Sequence, residues 1–121
     1  MAVRVLLVEQ DDDLAMLLAM RLESWGHEVR RVSRAVAALA SLQEFRPDVF
    51  LVDLEPPNDF DLLRSVRRSS PSLPVVVISE RASTRTLVDA MQLGAYAFFV
   101  HPLEDEELRD ELEQLTSRGG R

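Results

Sequence analysis

The hydrophobic pattern of this chain changes period about five times, and that alternation limits the fold more than any other feature. Val3 to Val8 (VRVLLV) is a buried-strand run, and Leu14, Leu17, Leu18, Leu22 and Trp25 then recur at helical spacing. Asp12 or Asp13 is the expected N-cap of that helix and Gly26 its stop. His27 to Val32 (HEVRRV) alternates as a short strand, and Arg34 to Phe45 is an alanine-rich helix with Val36, Leu39 and Ala40 on one side. Val49 to Val52 (VFLV) is apolar throughout, as a central parallel strand covered on both faces should be. A helix over Phe60 to Arg68 follows, using Leu62, Leu63 and Val66, and then a turn bracketed by Pro71 and Pro74. Val75 to Ile78 is again fully apolar. Ser83 to Leu93 is a helix stopped at Gly94, and Ala97 to Val100 (AFFV) is the last strand. Leu103 to Leu115 closes the pattern as a helix with Leu108, Leu112 and Leu115 on one face. Its first turn carries Glu104 to Glu107, suited to the positive end of a helix dipole.

Strands alternating with helices imply right-handed crossovers and a parallel sheet. Five strands and five helices in 121 residues predict a flavodoxin-like, doubly wound α/β domain with strand order 2-1-3-4-5. One domain is expected over residues 1–116, with 117–121 as a flexible tail or the start of a linker. In such sheets the working site lies beyond the carboxyl ends of the strands, at the switch point between strands one and three.

Composition narrows the chemistry. There is no cysteine, so disulfides, thiolate zinc sites and cysteine nucleophiles are excluded. The net charge of −7 disfavours binding to nucleic acid or to an anionic membrane surface. No apolar run approaches the roughly 20 residues needed to span a bilayer, and the opening Met1-Ala2-Val3-Arg4 lacks the pattern of a signal peptide. The expected location is cytoplasmic. Every basic residue apart from the histidines is arginine; the chain contains no lysine.

Polar groups follow each strand near the switch point. After the first strand comes Glu9-Gln10-Asp11-Asp12-Asp13, after the third Asp53-Leu54-Glu55, after the fourth Ser79-Glu80, and after the fifth His101-Pro102. Carboxylates on neighbouring strand ends repel unless a proton or cation intervenes, so such a cluster tends to hold Mg²⁺, a hard ion that takes oxygen ligands. A carboxylate beside a cation can also act as an oxygen nucleophile toward phosphorus.

In these residues the chain resembles the response-regulator receiver domains of two-component signalling. Val5-Leu6-Leu7-Val8-Glu9 matches the family's first strand and first acidic position, and Asp53 sits where the family places its phosphoacceptor. Pro57 matches a proline found shortly after it, and Ser79 falls at the family's Ser/Thr position ending strand four. Gly94-Ala95-Tyr96-Ala97-Phe98-Phe99-Val100-His101-Pro102 follows the Gly-Ala, aromatic, Lys-Pro pattern, with Phe98 at the aromatic switch position. The resemblance implies a metal site from Glu9, Gln10, Asp53 and the backbone carbonyl of Glu55, with Mg²⁺ as its ion. It also implies a histidine kinase or phosphotransfer protein as phosphoryl donor and a downstream protein or output domain as receiver of the signal. On topology alone, the face of the fourth helix, fifth strand and fifth helix around Arg85, Met91, Phe99 and Leu103 either supports homodimerisation or turns Met91 into the core.

Three departures bear on that reading. His101 stands where the family has lysine, whose pairing with a phosphoryl group at about 4 Å is worth roughly 1–4 kcal/mol. Histidine is shorter and titrates near neutrality; it either substitutes for the lysine or fills an exposed turn. Gln10 stands at the second acidic position, which is expected to lower Mg²⁺ affinity by about one to two orders of magnitude. Asp11 either turns inward to compensate or, with Asp12 and Asp13, caps and charges the first helix. The loop Glu55-Pro56-Pro57-Asn58-Asp59-Phe60 is about two residues shorter than the family pattern and lacks its glycine.

Two functions remain open on the sequence. One is a switch phosphorylated on Asp53 that changes a protein-binding face; such a domain is no conventional enzyme, catalysing at most its own phosphorylation and dephosphorylation. The other is a phosphorylation-independent pseudo-receiver that serves as a protein-interaction module. A flavin or nucleotide site of similar topology is disfavoured, because no glycine-rich loop follows strand one and its acids would repel phosphate.

Overall fold

The computed structural model describes residues 3–54, 58–80 and 83–119. Strands β1 (Arg4–Val8), β2 (Glu28–Val32), β3 (Val49–Asp53), β4 (Val75–Ser79) and β5 (Ala97–Val100) alternate with helices α1 (Asp12–Ser24), α2 (Ala35–Phe45), α3 (Asn58–Ser69), α4 (Thr84–Gln92) and α5 (Asp105–Gly119). The strands form one parallel sheet in the order β2-β1-β3-β4-β5, as the alternation predicts.

Both faces of the sheet are covered, which is why its central strands are apolar without alternation. On one face Val5, Leu7, Val49, Leu51, Val76 and Ile78 pack against Leu18 and Leu22 of α1 and Leu108, Leu112 and Leu115 of α5. On the other, Leu6, Val8, Phe50, Val52, Val75 and Val77 meet Leu42 and Phe45 of α2, Leu62, Leu63 and Val66 of α3, and Ala90 of α4. Each such side chain taken fully out of water is worth about 1.5–3 kcal/mol.

Several local expectations are corrected. Asp11, not Asp12 or Asp13, caps α1: its Oδ1 accepts the Leu14 N–H at 3.0 Å. Asp12 and Asp13 lie in the first turn, where the helix dipole favours them. Leu17 is half exposed, because α1 buries the stripe Ala15, Leu18 and Leu22, and Leu17 stands about 100° around the helix from Leu18. In α2 the expected face is reversed. Val36, Leu39 and Ala40 are exposed, and Ala38, Leu42 and Phe45 face the sheet, a stripe that includes the helix's one aromatic ring. α3 begins at Asn58, ahead of the expected Phe60.

α5 begins at Asp105 rather than Leu103 and runs to Gly119, past the expected Leu115. Nothing in Thr116-Ser117-Arg118 breaks a helix before the Gly119-Gly120 pair. Leu103 sits before the helix and packs against the α1/α5 core. Gly26, at φ 94°, provides the left-handed turn that ends α1 and starts β2, a conformation that costs a side-chain-bearing residue about 1–2 kcal/mol.

Candidate functional site

Strand register brings the acidic groups together. Val8 pairs with Val52, so Glu9 and Asp53 leave adjacent strands at the same level. Asp53 pairs with Ile78 and Ser79 with Val100, which places Ser79 and His101 one step further along the carboxyl edge. Backbone bonds hold the strand ends in place: Leu54 N–H donates to Ile78 O at 2.7 Å, and His101 N–H to Ser79 O at 2.9 Å.

His101 is not an exposed turn residue. Its Nε2 lies 3.1 Å from Asp53 Oδ2, and the two side chains are only 16% and 10% exposed. Glu9 is buried beside them. Its Oε2 accepts the Asp11 N–H at 3.1 Å, while Oε1 is buried and receives no hydrogen bond. Burial pushes the Glu9 carboxyl up to about 8, reinforced by its hydrogen bond to the Asp53 carboxyl, while the Asp11 N–H pulls it down. Two carboxylates face one another here, and when both are ionised only acceptors meet. A proton on Glu9 or a cation between the two relieves this.

One ligand atom each from Glu9, Asp53 and His101 lies within 4.8 Å of the others, an arrangement that could hold a metal ion. The orphaned Glu9 Oε1 and the two carboxylates fit a divalent cation. Gln10 is exposed, and its carbonyl receives Arg31. Asp11 is exposed and occupied as the cap of α1, so it does not replace the missing carboxylate. Glu55, whose carbonyl was expected as a further ligand, and Pro57 lie outside the described residues. Ser79 is buried, Glu80 is exposed, and Phe98 is half-buried against the α2/α3/α4 core.

Sequence reasoning missed Arg31. From β2 it donates to the Glu9 carbonyl through Nε at 2.9 Å and Nη2 at 2.7 Å, and pairs with Asp12 at 2.9 Å. It thereby braces the backbone that carries Glu9. The available signal was an arginine near the end of the strand adjoining β1, where an edge strand's side chain can reach over its neighbour's carboxyl end. On the face expected to dimerise, Met91 is exposed and Arg85 pairs with Asp89, whereas Phe99 and Leu103 pack partly into the α1/α5 core.

Strand order and convergent acids at the switch point define the class: a flavodoxin-like domain with an acidic centre at its carboxyl edge. The family model described as the response regulator receiver domain matches residues 5–113, and the chain belongs to that family. It is 37% identical to the alginate biosynthesis transcriptional regulatory protein AlgB of Pseudomonas aeruginosa, over 95% of this chain and 27% of that protein. It is 32% identical to the two-component response regulator PhoP of the same organism, over 95% of this chain and 52% of that protein. Among solved structures, NtrX from Brucella abortus in complex with ATP superposes with a TM-score of 0.88 at 31% identity, over 98% of this chain and 27% of that one. Vibrio cholerae CheY4, at 24% identity and TM-score 0.86, shares the fold over 95% of this chain and 99% of its own. The chain thus spans between about a quarter and half of the length of the curated relatives it matches. No helix among the described residues is long and apolar enough to cross a membrane.

Proposed function

We infer that this chain works as receiver domains do, as a signalling module of a two-component system that works with a histidine kinase and an output domain and binds Mg²⁺ through acidic residues. We propose that this chain accepts a phosphoryl group on Asp53 from a histidine kinase or phosphotransfer protein, and that the modification alters a protein-binding face. The observation that carries this reading is the position of Asp53: it ends the central strand, flanked by the buried Glu9 and by His101, with Ser79 on the next strand end. In the reaction an Asp53 carboxylate oxygen forms a bond to phosphorus as the donor's phosphorus–nitrogen bond breaks, and the donor imidazole keeps that electron pair. Glu9 and Asp53 would hold Mg²⁺, which when bound neutralises charge on the phosphoryl oxygens. The Ser79 hydroxyl and His101 Nε2 supply hydrogen-bond donors to the same oxygens. Phe98, half-buried at the margin of the α4–β5 surface, can then repack and pass the change to that face. The outcome is a shift between two populated states, whose size depends on how differently the phosphoryl group interacts with each.

A second reading, a module that binds partners without phosphorylation, is favoured by one observation. His101 already engages Asp53 Oδ2 at 3.1 Å, so a phosphoryl donor must displace that contact. Incubation with Mg²⁺ and a small acylphosphate, read by intact mass, tests the first reading. An acid-stable, base-labile addition that vanishes in Asp53→Asn is expected. Its absence at saturating Mg²⁺, together with no NMR response to beryllofluoride, would leave the second reading standing.

A further inference from the structure

We propose that Glu9, Asp53 and His101 form a site for a first-row transition ion, Zn²⁺ foremost, with His101 Nε2 as a direct ligand. The site would prefer that ion to Mg²⁺. The inference concerns the unphosphorylated protein and holds whether or not Asp53 ever accepts a phosphoryl group.

Three observations support it. The donor set is two carboxylates and an imidazole, with ligand atoms that all lie within 4.8 Å of one another. Ligand atoms about 2.1 Å from a tetrahedral ion stand about 3.4 Å apart, and His101 Nε2 and Asp53 Oδ2 are already 3.1 Å apart. Small side-chain rotations therefore suffice to close the site. The second observation is independent of the cluster's composition. Glu9 is 4% exposed, and its Oε1 is buried with no hydrogen-bond donor directed at it, an acceptor in want of a positive partner. The third is the support behind it: Arg31 grips the Glu9 carbonyl with two N–H groups and fixes the backbone from which that ligand projects.

Mg²⁺ demands oxygen ligands in near-octahedral order, and the exposed Gln10 offers no anionic oxygen to complete them. Imidazole suits Zn²⁺, Cu²⁺ and Ni²⁺. The ion would take the place between His101 Nε2 and Asp53 Oδ2, where the two atoms now meet at 3.1 Å.

The test is calorimetric titration of the metal-stripped 121-residue chain with Zn²⁺ and, separately, with Mg²⁺. One Zn²⁺ per chain is expected, bound on the order of 100-fold tighter than Mg²⁺ or more. His101→Lys should weaken Zn²⁺ by at least about 10-fold and leave Mg²⁺ affinity nearly unchanged, whereas Glu9→Gln should weaken both. Circular dichroism establishes that each variant is folded. Imidazole ¹⁵N NMR of the wild-type chain gives a reading that needs no variant. On Zn²⁺ addition His101 Nε2 should move to a metal-bound shift while His27 stays in place. Zn²⁺ binding no tighter than Mg²⁺, undiminished Zn²⁺ binding by folded His101→Lys, or a shift confined to His27 would each overturn the proposal. Because ion binding is read directly, its failure is distinguishable from a failure of Asp53 to accept phosphoryl.

Discussion

At the amino edge of the sheet, His27 accepts the Val3 N–H through Nδ1 at 3.1 Å, and Asp48 accepts the Arg4 N–H at 2.9 Å. Arg67 caps the same edge by donating to the carbonyls of Pro71 and Gly94. There each polar side chain meets a backbone group of opposite character. At the carboxyl edge, side chains of like character are gathered instead: Glu9 and Asp53 face one another, His101 reaches in, and one Glu9 oxygen is left without a donor. The same fold closes one edge with complementary pairs and leaves the other in want of a proton or a cation. Conflict of this kind concentrates where chemistry is done.

The largest expected effect is the pH dependence that Glu9 imposes. Its folded pKa of about 8 stands above the ordinary 4.5, so between those values the folded state holds a proton that the unfolded state has lost. Stability from this group is therefore full below pH 4.5 and declines as pH rises through about 8. At about 1.4 kcal/mol per unit the loss reaches a few kcal/mol. Urea denaturation of the metal-free protein across that range should show it. Glu9→Gln, whose amide can donate to Asp53 at any pH, should flatten the profile. A flat wild-type profile would mean that the carboxyl edge carries no such conflict.

The amino edge should respond with the opposite sign and more weakly. Burial lowers the His27 pKa below 6.5, so the unfolded state binds the proton first. Stability from His27 is full above pH 6.5 and falls as pH drops below it. His27→Leu should remove this acid-side slope and cost about 1–3 kcal/mol, because the Val3 N–H loses its acceptor. Equal sensitivity of the variant and the wild type to acid would break the contrast between the edges.

The fold and the gathering of Glu9, Asp53, Ser79 and His101 at one sheet edge were legible in the sequence for a common reason. A strand buried on both faces must be apolar throughout, so Val49–Val52 and Val75–Ile78 announce central strands, and whatever follows them lies at the carboxyl edge. That logic places Glu9, Asp53, Ser79 and His101 together, as the register does. What escaped was the choice among near-equivalent neighbours. Asp11, Asp12 and Asp13 are chemically alike, and only the path of the backbone decides that Asp11 is the cap. In α2 two apolar stripes compete, and the position of Phe45 over the sheet settles which is buried. Arg31 escaped because long-range contacts from an edge strand leave no periodic mark. The approach of His101 to Asp53 also depends on a side-chain torsion that spacing does not encode.

Arg31 offers a test of how far the carboxyl edge depends on its brace. Arg31→Met keeps much of the apolar stem but releases the Glu9 carbonyl, the Gln10 carbonyl and Asp12. Because the Arg31 side chain is partly exposed, water replaces some of what is lost, and the expected cost is about 1 kcal/mol in urea midpoint analysis. The larger change should be in cation affinity, which is expected to fall by about 10-fold as Glu9 loses its fixed backbone. Unchanged affinity with the same stability loss would make Arg31 a purely structural clamp, no different in kind from Arg67 at the opposite edge.

The smallest effect should come from Asp48, the amino edge's own carboxylate. Its Oδ2 accepts the Arg4 N–H while its own N–H donates to the Arg4 carbonyl at 2.7 Å, a reciprocal pair that locks β1 beside the start of β3. Asp48→Asn preserves an oxygen acceptor at that position and removes only a charge that solvent already screens. A change within about 0.5 kcal/mol is expected in urea midpoint analysis. The comparison with Glu9→Gln is then direct, because both substitutions turn one carboxylate into an amide. At Asp48 the carboxylate already has a backbone N–H to accept, so neutralising it gains nothing. At Glu9 the same exchange supplies a missing donor and should raise stability on the alkaline side. If the two substitutions behave alike, pairing at the amino edge and conflict at the carboxyl edge are not what separates the two ends of this sheet.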